Sequence, residues 1–205
     1  MKLAVACTAL LAFAAAAAGP VRAQESVFTA ALAGSNEIQA VASPGTGTAT
    51  VTLTLGALPT LRVQASFSDL LGTTAASHIH CCTPTPNSAN AGVATTTPTF
   101  FAFPLGVTFG SYDRTFDLLA AGSYNPAFVT ANGGTVASAF AALSGGLASG
   151  QGYFNIHTSR FPGGEIRGTL VAVVPEPETY ALFAAGLVLL GAATRRRRAN
   201  AALPA

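Results

Sequence analysis

Residues 48–55 read TATVTLTL, with threonine at every second position and alanine, valine or leucine between. Successive side chains of a β-strand point to opposite faces, so this stretch makes a ribbon apolar on one side and hydroxylated on the other. The same period of two returns in LRVQASFSDL, which puts Leu61, Val63, Ala65 and Phe67 on one side. SVFTAALAG, VTFGSYDRTFDLL (with a less regular alternation), GYFNIHT and EIRGTLVAVV add further strand signals between turn formers such as SNEIQAVASPGTG. About 150 residues of short strands predict an all-β chain, a single antiparallel β-sandwich of immunoglobulin-like or superoxide-dismutase-like architecture spanning 24–173.

Two segments interrupt that pattern. In TVASAFAALSGGLASGQ (135–151), Val136, Phe140, Leu143 and Leu147 fall at helical spacing, which predicts one short helix interrupted near Gly145 and Gly146. Between Cys82 and Gly106 runs a long connection rich in Thr, Pro and Asn, a length often associated with function or mobility.

The ends differ from the middle. Half of the 205 residues are apolar and only 9 % are charged. The net charge of +2 misleads, because Lys2, Arg22 and Arg195–Arg198 lie outside 24–173. Within that region Arg62, Arg114, Arg160 and Arg167 face six acids, with no lysine and no basic stripe, so nucleic-acid binding by charge neutralisation is excluded. Residues 1–23 carry Lys2, an apolar Ala-rich run, the breakers Gly19 and Pro20, and small residues before Gln24. That order predicts a signal peptide, a helix cut by signal peptidase after Ala23.

The last segment reads VVPEPETYALFAAGLVLLGAATRRRR. Its fifteen uncharged residues from Tyr180 to Thr194 are expected to form a transmembrane helix, although a helix of that length covers roughly 22 Å against a hydrocarbon core of about 30 Å. Flanking residues and local thinning would have to close the gap. The arginines would stay cytoplasmic, with 199–205 as a short cytoplasmic tail and the domain outside the inner membrane.

The order Pro175-Glu176-Pro177, apolar helix, Arg195-Arg196-Arg197-Arg198 resembles the PEP-CTERM sorting signal of Gram-negative bacteria over about 174–198. The resemblance implies an exosortase-type processing enzyme as partner, a membrane-anchored precursor, and release to the cell surface or extracellular matrix. The segments FTAALAGSNEIQAVASPGTGTATVTL, SHIH and GYFNIHTSRFPGGEIRGTL are similar to the CHRD domain over roughly 27–170. Three departures stand out: Gln39-Ala40 after SNE, Cys81-Cys82 after His-x-His, and the long insertion that follows. That resemblance implies a secreted β-sandwich module of poorly defined role and does not imply an enzyme. The chain as a whole reads as a non-catalytic surface or matrix module with a structural, adhesive or ligand-binding role and a matrix polysaccharide or protein as partner; the alternative is a periplasmic or surface Cu/Zn-binding protein.

The chemistry concentrates in HIHCC (78–82) and NIHT (155–158). His78 and His80 share one strand face with Ile79 behind, and Asn155 and His157 repeat the arrangement around Ile156. If the two strands are neighbours, three imidazoles converge, and Glu165 is within reach as a fourth ligand. Three histidines and a carboxylate suit Cu or Zn. The alternative is a hydrogen-bonded strand pair that needs no cofactor. The His-x-His strand is also similar to that of copper–zinc superoxide dismutase, but three histidines cannot build both of its metal sites, which excludes that activity.

Cys81 and Cys82 admit three fates: a vicinal disulfide at the corner where the strand leaves the sheet, a bridge between copies, or thiolates joining the histidines. The Cys-x-x-Cys spacing of redox catalysts is absent. Glu165 and Arg167 are expected to share a face after the FPGG turn, free to pair with each other or with a neighbour. Asp113, Arg114 and Asp117 read as solvated surface groups, and no nucleophile motif of a hydrolase is present.

Overall fold

The computed structural model describes residues 24–173 and 177–201. The expected signal peptide at 1–23, together with Pro175 and Glu176, lies outside the described residues. Eight strands run in the order β1 Gln24–Ala33, β2 Thr46–Leu55, β3 Thr60–Ser68, β4 Thr74–His80, β5 Gly110–Asp117, β6 Tyr153–Thr158, β7 Ile166–Thr169 and β8 Val171–Val173. Hydrogen bonding joins them in the order β4-β6-β7-β1-β2-β3-β5, with β8 also on β1, and every pairing is antiparallel. The fold is therefore all-β, a single antiparallel sheet that curls around one core.

The alternating segments set its apolar face. Ala49, Val51 and Leu53 of β2 stand opposite Ala65, Val63 and Leu61 of β3, and all six are buried. Phe28 and Ala30 of β1 extend the same rows onto Val51 and Ala49. Each such Leu, Val or Phe contributes about 1.5–3 kcal/mol by leaving water. The curl brings Ile79, Phe154 and Ile156 of β4 and β6 into the same core.

β4 ends the sheet, yet its edge is covered. The connection 81–109 folds back along it: Ala94 and Phe100 donate their N–H groups to the Ile79 and Ser77 carbonyls, at 2.9 and 3.1 Å. The hydroxyl of Thr95 accepts from the Ile79 N–H at 3.0 Å. Phe100 anchors this cover in the core between Phe154 and Phe116, at centroid distances of 6.0 and 5.3 Å. The long connection is thus a packed lid over the edge strand.

The helical expectation needs two corrections. Helix α2 spans Val136–Ala148, capped by a reciprocal box between Thr135 and Ser138, and runs through Gly145 and Gly146 without a break. Glycine at 146 answers a close approach: a Cβ there would lie 2.3 Å from the sulfurs of both Cys81 and Cys82. A second helix, α1 Pro126–Ala131, is too short to show a period, and its signal is the Asn125 cap followed by proline at the first turn. Finally, the tail forms helix α3, Pro177–Ala201, longer than expected, but no described helix is long and apolar enough to cross a membrane. The transmembrane helix expected over about 180–194 is therefore not supported among the described residues: the uncharged run is short, and four arginines follow it within the same helix.

Candidate metal centre

β4 and β6 are neighbours, and their register pairs His78 with Asn155, His80 with Tyr153 and Ala76 with His157. β7 adds Arg167 beside Asn155. Because side chains alternate, Ile79, Phe154 and Ile156 enter the core while His78, His80, Tyr153, Asn155, His157 and Arg167 occupy the opposite face. That face is also covered, by residues 81–109 and the turn 159–164, so His78 and His80 are only 6 and 8 % exposed.

Each imidazole commits one nitrogen to a backbone carbonyl. His78 Nε2 lies 2.6 Å from Pro98 O, His80 Nδ1 2.9 Å from Ala91 O, and His157 Nδ1 2.9 Å from Pro162 O. A carbonyl only accepts, so these nitrogens carry the protons and donate. The nitrogens left with lone pairs are His78 Nδ1, His80 Nε2 and His157 Nε2. The last two stand 3.2 Å apart, and ring nitrogens of all three residues lie within 4.8 Å of one another. His78 Nδ1 is buried and has no partner.

Burial pushes the His78 and His80 pKa values down to about 4, against the pull of the Pro98 and Ala91 carbonyls and with the help of the neighbouring imidazoles. Burial lowers His157 as well. The three rings are therefore neutral at neutral pH, the state that binds metal. Nitrogens bound at about 2.0–2.1 Å in a tetrahedral site stand about 3.3 Å apart, so the His80–His157 pair is already at ligand spacing. Carbonyls that hold the second nitrogen of each ring are the usual outer partners of metal-bound histidines.

Glu165 is not part of this cluster. It is fully buried, and its carboxylate accepts from Ser43 Oγ at 2.7 Å, Leu71 N at 2.5 Å, Gly72 N at 3.0 Å and Thr158 Oγ1 at 2.7 Å. Burial favours the neutral acid, but the four donors prevail and hold the carboxyl below its ordinary range. Nor does Glu165 pair with Arg167. Arg167 is 1 % exposed and donates to Asn36 O, Asn90 Oδ1 and Asn87 Oδ1 at 2.7, 2.8 and 3.2 Å. Its charged partner is Glu37, at 3.9 Å. The guanidinium also sits 4.4 Å from the Tyr153 ring centroid, and Tyr153 stacks on His80 at 4.8 Å.

Cys81 and Cys82 are bonded to each other and rest on α2 at Gly146, and the cluster of candidate ligands contains neither. At the surface, Asp113 pairs with Arg62 at 2.6 Å and Arg114 lies 4.6 Å from the Phe101 ring centroid. Sequence reasoning missed Glu37, Tyr153 and the role of Arg167. The available signal was the rarity of charge: an acid inside SNE and an arginine in a short strand are conspicuous where so few charges exist.

The CHRD domain family matches residues 28–170, and the PEP-CTERM protein-sorting motif matches 173–198. Comparison with curated proteins and with solved structures gives no match. Neither matched family is enzymatic, and the sorting motif implies exosortase processing. With a family match over most of its antiparallel β domain and a three-part tail in this order, the chain belongs to the CHRD domain family and is an exported protein sorted at the cell envelope by a PEP-CTERM motif.

Proposed function

We propose that the protein is a surface or extracellular-matrix module that binds one copper or zinc ion through His78, His80 and His157. A single observation carries the reading. Two imidazole nitrogens with lone pairs, His80 Nε2 and His157 Nε2, face each other at 3.2 Å while their rings donate elsewhere. Lone pairs at that distance repel unless a proton or a cation lies between them. Burial disfavours the proton, since it lowers both rings' pKa values. A metal ion removes the repulsion and gives the unpartnered His78 Nδ1 a bond. Three neutral imidazoles suit both copper and zinc and leave a position for an exogenous ligand.

The role is binding, in a matrix or adhesive context, and delivery follows from the tail. Signal peptidase would remove 1–23 on export, and the processing enzyme would act at Pro175–Pro177, with Arg195–Arg198 holding the precursor's end on the cytoplasmic side. Because the apolar run of α3 is short, crossing would rely on flanking residues and local thinning, and the precursor's stay at the membrane would depend on the arginines and on that enzyme.

The test is metal analysis of the full chain purified from an oxidising compartment, together with melting in the presence of added Cu or Zn. About one ion per chain and a raised Tm are expected. No bound metal and no shift would overturn the reading and leave the histidines as framework.

A further inference from the structure

Copper and zinc differ in the charge and the number of ligands they need, and the surroundings of the three histidines discriminate between them. Among the described residues the ligand cluster consists of imidazoles alone, with no acid. The second nitrogen of each ring is held by a backbone carbonyl, Pro98 O, Ala91 O or Pro162 O, so no carboxylate stands behind a ligand either. Glu165, the expected fourth ligand, spends its charge on Ser43, Leu71, Gly72 and Thr158. The nearby pair of Arg167 and Glu37 brings no surplus of negative charge. Arg167 sits on the Tyr153 ring, which stacks on His80, and its field opposes positive charge on that imidazole.

The cost of taking an ion out of water rises with the square of its charge. A divalent ion here would set two positive charges against no anion, under a cover that leaves His78 and His80 only 6 and 8 % exposed. Zn(II) also seeks a fourth ligand, which in three-histidine sites is a water or hydroxide from solution, and Cu(II) favours a tetragonal set. Cu(I) has neither need. It carries one charge, and its filled d shell accepts three nitrogen ligands without a fourth. His80 Nε2 and His157 Nε2, which face each other at 3.2 Å, and the unpartnered His78 Nδ1 supply them.

We propose that this centre selects monovalent copper, held as a three-coordinate ion by His78, His80 and His157. The inference rests on the metal reading above and adds the identity and charge of the ion. Binding takes no proton from a ligand and transfers no electron, because the three lone pairs are already free. The same geometry shows how the selectivity would be reversed. Ala76 is half-buried, lies two residues before His78 on the same strand face, and stands directly opposite His157. A carboxylate at that position would give the cluster its missing anion.

The test titrates the full chain with Cu(I), delivered without air from its bicinchoninate complex, and separately with Zn(II) and Cu(II). One Cu(I) per chain is expected, held about a hundredfold more tightly than Zn(II) and more tightly than Cu(II). The Cu(I)-loaded chain should remain silent in electron paramagnetic resonance after exposure to air, since Cu(I) has no unpaired electron. Ala76→Asp should tighten Zn(II) binding about tenfold, whereas Ala76→Asn, of the same size without the charge, should not. Circular dichroism checks that both variants fold, and the wild-type titrations carry the test if they do not. Zn(II) or Cu(II) held as tightly as Cu(I), a full Cu(II) resonance in air, or a folded Ala76→Asp chain with unchanged Zn(II) affinity would overturn the proposal and leave the metal reading standing. Binding of none of the three ions would overturn both.

Discussion

Two buried polar clusters lie close together in this fold, and they are built on opposite plans. Around Glu165, four donors from Ser43, Leu71, Gly72 and Thr158 converge on one carboxylate, and neither of its oxygens lacks a partner. Along the row His78–Asn155–Glu37, three atoms have no partner, and two imidazole lone pairs face each other. Glu165 is fully buried, and His78, His80 and Asn155 are nearly so. A satisfied cluster ties the 69–73 turn to β6 and to the start of β7, which is framework. An unsatisfied one keeps acceptor capacity free, which is what the proposed metal site would use. Burial alone therefore does not mark a site; the state of the hydrogen-bond capacity does.

The sharpest way to break this comparison is Glu165→Ala. It strands two backbone N–H groups and two hydroxyls, and about 3–5 kcal/mol of stability should be lost, read from urea unfolding, with or without metal. A loss below about 1 kcal/mol would mean that the cluster is not framework. Next comes acid. The folded pKa values of His78 and His80, about 4, lie below the ordinary 6.5, so the unfolded chain takes up protons first. Their contribution is complete above about pH 6.5 and is lost as pH falls toward about 4, by up to ~3 kcal/mol per ring. Unfolding midpoints measured across that range should fall steeply in the wild type and less steeply in His80→Ala.

A smaller effect separates the histidines from Glu165 through metal. At a free ion concentration one hundred times its Kd, bound copper or zinc should add about 2.7 kcal/mol, and His157→Ala should lose that increment. Glu165→Gln, however unstable, should still gain it, and a Gln variant that lost metal binding would return Glu165 to the ligand set. The smallest effect belongs to the exposed Arg62–Asp113 pair, half-exposed on both sides. Arg62→Ala should leave the melting temperature unchanged within error, because solvent screens such pairs.

Much of this was legible in the chain. TATVTLTL and LRVQASFS announced their buried faces, and the register pairs those residues directly. His78 and His80 had to share a side, as did Asn155 and His157. The tail's order of motif, apolar run and arginines was readable for the same reason that strand faces are: the information lies within a few neighbouring residues. The span is not supported among the described residues, because its uncharged run is short. The unbroken α2 was missed because Gly146 is explained by sulfur atoms that lie 64 and 65 residues away in the chain.

What the sequence determined by itself is therefore local: the alternation of faces, the His-x-His geometry, the class of fold and the address at the C-terminus. What only the tertiary structure decided is convergence. It set β4 beside β6, brought the Pro98, Ala91 and Pro162 carbonyls to one nitrogen of each imidazole, gave Glu165 its four donors, and left Glu37 Oε1 and Asn155 Oδ1 without one. The physical reason is range. A side chain's face follows from the backbone period at its own position, whereas its partners follow from loop closures and strand registers that join residues far apart in the chain.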